Sequence, residues 1–256
     1  MQQTLDVNQQ EFKALLDRST KMVLDLFENV SELKGYHDFP QPEVASWFDE
    51  PIPTKGMDFD ALLDEVKTKV LDTATGNLGP HMYAYVMAGG TQVSIVAEKL
   101  AATINQNLGK WHLGHASNEI EKRVAQWIGQ ALGYTDHAAG VMVSGGSAAN
   151  LAGLTVARNI FFEKLQIRKK GLFGIKPFTV YASKEVHGCV DKSLELLGIG
   201  SNQLRKITCN TDFTINLEAL KAQIAQDKAD GFMPFCIVGS AGTVNTGAVD
   251  DFIALA

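Results

Sequence analysis

The 256-residue chain has a formal net charge of −6, with 45% hydrophobic and 20% charged residues. That balance is close to the soluble average and excludes a disordered chain. An acidic chain with no run of basic residues has no electrostatic footprint for nucleic acid, which excludes that partner class, while the length allows one large domain or one and a half with a sizeable core.

Cys189, Cys209 and Cys236 are widely spaced and odd in number, so neither a disulfide framework nor a CxxC metal site is expected. The amino terminus, MQQTLDVNQQEFK, is polar where a signal peptide needs an apolar core, and no apolar run approaches spanning length. The expectation is a cytoplasmic protein without a membrane partner.

In chain order, Val7 to Leu33 carries Phe12, Leu15, Leu16, Met22, Val23, Leu26 and Phe27 at helical spacing, a wide apolar face. Such a face packs either on its own domain or on a second copy of the chain. Pro40, Pro42, Pro51 and Pro53 then surround a Val44 to Phe48 piece, read as an extended, stiff connection. Residues 1–55 are thus a helical amino-terminal arm and linker. Asp58 to Thr73 is predicted as a helix, and Thr91 to Leu108 as another. Between them the aromatics Tyr83 and Tyr85 lead into Gly89 and Gly90. Aromatics beside glycines can line a pocket, but their strand preference favours a buried strand end. Ser117 to Gly133 has a strong helical period, with Ser117 as its expected N-cap.

From Ala139 the pattern changes to apolar strands alternating with helices. The expected strands are Val141 to Ser144, Phe178 to Ser183 and Phe235 to Ser240, the signature of an α/β fold with a mostly parallel sheet. Each empties into a turn of small or polar residues: SGGSAAN, KEVHG and AGTVNTGAVDD. Ligands of open α/β sheets sit at the carboxyl ends of the strands, so three such turns could converge on one site.

The first turn reads as an anion site. Gly145 and Gly146 let backbone N–H groups approach a phosphate, Ser147 adds a hydroxyl, and the helix from Ser147 to about Leu165 directs its positive end there. The same strand, turn and helix are also ordinary punctuation in α/β proteins. His187, at the head of a helix from about Val186 to Leu197, is either a capping residue or a ring that lies flat over an aromatic ligand. Thr243 offers a hydroxyl, and Asp250 and Asp251 offer carboxylates. A serine-hydrolase elbow is excluded by chain order, because His187 precedes Asp250 and no histidine follows. GxGxxG and the P-loop lysine are absent, and the six histidines show neither HxxxH nor HExxH spacing, so no metal site is expected.

Four blocks, NQNLGKWHLGHASNEIEKRVAQWIGQALGY, VMVSGGSAANLAGLTVARN, YASKEVHGCVDKSLELLGIG and VGSAGTVNTGAVDD, resemble in order and separation the group II pyridoxal-phosphate-dependent amino-acid decarboxylases. The resemblance runs from about residue 40 to the last residue. It implies an aspartate aminotransferase-type (fold type I) large domain, incomplete, with residues 56–256 as its first part. It also implies pyridoxal 5'-phosphate as cofactor, an L-amino acid as substrate and a homodimer for the full-length protein. Gly146 and Ser147 match the family's phosphate-binding turn, and His187 its ring-stacking catalytic histidine. Thr243 matches the threonine of the family's GT turn near the cofactor, and Asp250 the aspartate that follows it. Tyr83 to Gly89, with Tyr83 and Ala88 as candidate substrate residues, falls where the family has a substrate-pocket segment, although GPHMYAY departs from the usual HPxFF wording. Ala148 stands where many relatives have glutamate.

The family's pyridinium-binding aspartate, in a strand of the HVDAA type, and its cofactor-binding lysine in a His-Lys pair have no match. No histidine here is followed by lysine, and no Asp-Ala-Ala occurs. The resemblance therefore implies the amino-terminal part of a decarboxylase, inactive alone. A non-catalytic truncated protein or pseudoenzyme retaining the dimer-forming arm is the other function class left open.

Overall fold

The computed structural model describes residues 7–135 and 137–256. The chain divides into two compact units, residues 1–105 and 106–256.

The first unit is helical. Helix α1, Gln9–Glu28, starts at a capping box: the Asn8 side chain accepts the Gln10 and Glu11 N–H groups at 3.0 and 2.9 Å, and Glu11 returns a bond to the Asn8 N–H. Proline does not keep residues 40–53 fully extended, because α2, Gln41–Ser46, forms with Pro42 in its first turn, where a missing N–H leaves no acceptor unpaired. Helix α3, Phe59–Val66, is capped by Asp58 and continues into a wider π turn, Lys67–Leu71. Arg18 of α1 pairs with Asp60 and Asp64 of α3. Helix α4, Gln92–Ile104, is capped by Thr91 and ends at Asn105 in the left-handed region.

The expected strand at Tyr83 and Tyr85 is not found. The two rings are 91% and 76% exposed, and Tyr85 has a φ of 60°, so strand preference without a pairing partner does not prevail there. No residue of α1 is buried, and Phe12 and Leu24 are exposed.

The second unit opens with α5, His115–Ala131, which begins two residues before the expected Ser117 cap; Ser117 instead bonds the Gln106 side chain. Helix α6, Gly146–Phe161, and the short α7, Ile167–Lys170, precede strand β1, Phe178–Ser183. Helix α8, Cys189–Leu196, leads to β2, Leu204–Ile207, and α9, Leu217–Ala229, leads to β3, Met233–Val238, before the final turn α10, Phe252–Leu255. The sheet order is β2-β1-β3, all parallel. The third expected strand is found two residues early. The expected strand at Val141 to Ser144 does not form: no neighbouring strand takes up its N–H and C=O groups, Val141 stays 65% exposed, and the Met142 N–H goes to the Glu121 carboxylate at 2.9 Å.

One sheet face packs Val180 and Ala182 against Leu154 of α6 and Cys189, Val190 and Leu194 of α8. The other packs Tyr181 and Ile207 against Leu220 and Ile224 of α9. A polar chain crosses this second face. Arg205 holds Asp227 at 3.0 Å, Asp227 accepts the Tyr181 hydroxyl at 2.8 Å, and Thr179 lies 2.7 Å from that hydroxyl. With the Tyr181 proton given to Asp227, the Thr179 hydroxyl is left to donate to the phenol oxygen.

Burial, reinforced by the Asp227 carboxylate, pushes the Tyr181 phenol from its usual 10 up to about 12. A raised folded-state value means that the contribution is complete below pH 10 and is lost as the unfolded chain ionises first. Denaturation measured against pH is expected to lose about 2–3 kcal/mol between roughly pH 10 and 12. The Tyr181→Phe variant should lose correspondingly less over that interval.

Candidate cofactor site

Strands β1 and β3 are parallel neighbours, so their carboxyl ends open on one edge. From β1 the chain passes through α8 to β2 on one side, then crosses through α9 to β3 on the other, with α8 and α9 on opposite faces. Open α/β sheets take ligands at the carboxyl ends of their strands, and the turns that follow β1 and β3 both lie at that end. The turn bearing His187 follows β1, and the turn bearing Thr243 follows β3.

Helix α6 brings a third element to this edge. Phe162, just past its end, packs on Phe178 at 4.6 Å and Phe235 at 5.7 Å, near the starts of β1 and β3. Asn150, in its first turns, meets Cys189 beyond the end of β1 at 3.2 Å. The helix therefore runs against the strands, with Gly146 at their carboxyl edge. Helix α8 runs alongside it in the same direction, because Arg158 bonds the Leu197 carbonyl at 2.9 Å at the other end. Two positive helix ends thus face the same edge.

No side chain caps α6. The Ala149 N–H already bonds the Gly145 carbonyl at 3.0 Å, which leaves the N–H groups of Gly146, Ser147 and Ala148 without an intrahelical acceptor. Gly145, at φ 161°, is simply extended, so left-handed geometry is not what glycine provides here. What it provides is room: a Cβ added at Gly145 or Gly146 would meet no atom within 4 Å. Unpaired donors, a positive field, open space and the exposed Ser147 fit a phosphate group.

His187 is exposed, and its Nδ1 accepts the Cys189 N–H at 3.1 Å. In a neutral ring that bond puts the proton on Nε2. The side chain thereby caps α8, which the preceding Gly188 cannot do. The capping and ring-stacking readings of His187 are compatible, since the cap uses one edge nitrogen and leaves the ring faces alone.

Thr243 is buried, with its hydroxyl beside that of Thr246 and accepting the Ala248 N–H at 3.1 Å. The positive φ of Gly242 and Gly247, 91° and 69°, lets this turn close. Asp250 is also buried. Its two oxygens accept the Ile215 and Ser240 N–H groups, each at 2.8 Å, tying the turn after β2 to the turn after β3. Gly146, Ser147, His187 and Thr243 thus share the carboxyl edge, and Asp250 fastens its turns. Tyr83 and Ala88 belong to the first unit, where both are exposed.

Asn150 and Cys189 escaped the sequence reading, as did Ser183, whose buried hydroxyl finds no partner at the end of β1. For Ser183 the available signal was a small polar residue closing an apolar strand. Lys184 and Lys192, the lysines nearest His187 in sequence, are exposed, and Lys206 pairs with Asp191 at 3.2 Å. A hollow of about 480 Å³ lined by Arg158, Leu172, Phe173 and Leu197 lies toward the other end of α6 and is not this site.

Residues 42–256 match the family described as the pyridoxal-dependent decarboxylase conserved domain. An aromatic-L-amino-acid decarboxylase from Bacillus atrophaeus is 31% identical over 256 residues, covering 100% of this chain and 52% of that protein. The corresponding Catharanthus roseus enzyme is 27% identical, covering 94% and 49%. The glutamate decarboxylase domain of a Vibrio parahaemolyticus diaminobutyrate enzyme superposes with a TM-score of 0.86 at 28% identity, covering 97% of this chain and 55% of that one. Catharanthus roseus tryptophan decarboxylase, solved with L-tryptophan, shares the fold at a TM-score of 0.88 and 23% identity, covering 98% of this chain and 55% of that one. The chain spans about half the length of the curated relatives it matches.

Proposed function

The chain belongs to the pyridoxal-dependent decarboxylase family and has the fold of the type I large domain, and on that premise we propose that the whole protein decarboxylates an L-amino acid with pyridoxal 5'-phosphate. The observation that carries the proposal is the open, uncapped start of α6, a helix tied through Asn150 to Cys189 at the carboxyl edge of β1 that also bears His187. In this reading the N–H groups of Gly146 and Ser147, with the Ser147 hydroxyl, hold the phosphate. His187 stacks on the cofactor ring and acts catalytically on that face, Thr243 lines the ring's side, and Asp250 keeps the surrounding turns in place. The bound cofactor supplies the electron sink that lets the carboxylate leave.

The chain contributes an anion cradle and a ring clamp. A lysine for the cofactor aldehyde and a free carboxylate for the ring nitrogen have no match in its sequence, and both Asp250 oxygens are committed to backbone N–H groups. This polypeptide is therefore a cofactor platform, inactive alone, from a protein active as a whole. The exposed apolar residues of α1 support a homodimer in which that face is covered. A cytoplasmic location goes with this reading; no described helix is long and apolar enough to cross a membrane.

A Gly146→Val substitution tests the cradle. Added atoms at this position begin in open space, so the melting temperature should change little while pyridoxal phosphate affinity, read by fluorescence quenching, falls about tenfold or more. Unchanged affinity would remove Gly146 from the site.

A further inference from the structure

Two contacts meet at Cys189. Its N–H donates to His187 Nδ1 at 3.1 Å, and its Sγ accepts the Asn150 Nδ2–H at 3.2 Å. Asn150 lies three residues, about 4.5 Å of helix rise, beyond Ser147. One residue therefore joins the helix that carries the anion cradle to the imidazole that would face the ring.

We propose that Asn150 and Cys189 form a clamp that fixes the spacing between the α6 anion cradle and the His187 ring, making both positioning residues for a ligand that must reach the two at once. The proposal rests on the cofactor reading given above. Sulfur is a weak acceptor, so the bond alone holds little. Its effect comes from where the sulfur sits: Cys189 is 4% exposed and packed among Val180, Val190, Leu194 and Leu154. An anchor buried in a close-packed cluster has few alternative positions. The helix pair is also fastened at its other end by the Arg158 bond to the Leu197 carbonyl at 2.9 Å. With that end held, losing the Asn150 contact frees the cradle end of α6 to pivot, whereas losing the Arg158 contact frees the end away from the site. Cys189 further orients His187 through its backbone, so a shift of the sulfur is transmitted to the ring by a single residue.

The test compares two probes on the 256-residue chain, inorganic phosphate and pyridoxal 5'-phosphate, in the wild type and in Asn150→Ala, Cys189→Ala and Cys189→Ser. Inorganic phosphate needs the cradle alone; pyridoxal phosphate needs the cradle and the ring clamp at the right separation. Asn150→Ala and Cys189→Ala are expected to leave phosphate affinity within about twofold while pyridoxal phosphate affinity falls about tenfold. Cys189→Ser, which keeps an acceptor, should recover part of the loss. The His187 ring nitrogens, followed by nitrogen-15 NMR without ligand, should shift in the alanine variants. Equal weakening of both probes, or a change in melting temperature alone, would make the contact a packing feature and overturn the clamp. If the wild type takes neither probe, the cofactor reading fails instead, and the NMR arm still decides: His187 signals unchanged in Asn150→Ala overturn the clamp, and shifted signals support it.

Discussion

Replacing Asp227 with alanine is expected to destabilise the second unit by about 3 kcal/mol, the cost of breaking a buried ion pair from one side. Asp227 is 2% exposed and satisfies two elements at once, the Arg205 guanidinium of β2 at 3.0 Å and the Tyr181 hydroxyl of β1 at 2.8 Å. Without it Tyr181 keeps only Thr179 as a partner. Arg205 retains the Asn202 carbonyl at 2.7 Å and the Phe232 ring at 5.0 Å, which moderates the loss. In thermal denaturation the effect corresponds to roughly 6–12 °C. Arg205→Ala should cost less, because its side chain is partly exposed, and the double variant should cost less than the sum of the two. A loss of under 1 kcal/mol in Asp227→Ala would show that apolar packing, not the polar chain, seats α9 on the sheet.

The second large effect is on activity. Mixed with pyridoxal phosphate and any L-amino acid, the 256-residue chain alone is expected to release no carbon dioxide. Borohydride reduction followed by peptide mapping should show no single lysine labelled stoichiometrically. The chemistry needs a lysine poised at the cofactor aldehyde, and the lysines nearest His187 in sequence, Lys184 and Lys192, are exposed. One stoichiometric label together with carbon dioxide release would overturn the reading of the chain as a platform without activity of its own.

Much of the second unit was legible because its signals are local. Phe178 to Ser183 has no charged residue and is buried at every position, so its strand was found to the residue. Strand β2 was missed: Leu204, Arg205, Lys206 and Ile207 are few and half charged, and they pair only because β1 lies beside them. Val141 to Ser144 shows the converse, since an apolar run with β-branched residues forms no strand without a neighbour to bond. Helix α9 was hidden because its polar and apolar residues are not segregated to faces; buried Asp227 points into the sheet while the helix still docks.

In the site, the glycine turn and His187 were visible as residue types at the ends of elements. The joining contacts were not, because Asn150 and Cys189 are 39 residues apart and fall in two separate blocks that nothing in the sequence pairs. Asp250 was legible as a carboxylate near the site, but its structural use depends on Ile215 and Ser240, which only the fold brings to it.

The most direct test of the central claim is a pyridoxal phosphate titration of the isotope-labelled 256-residue chain followed by amide and imidazole NMR. The largest shifts are expected at the Gly146 and Ser147 N–H groups, the His187 ring and the Thr243 turn, saturating together with one affinity. Shifts confined to exposed lysines such as Lys184, with Gly146, Ser147 and His187 unmoved, would contradict the assignment of the cofactor to the carboxyl edge of β1 and β3.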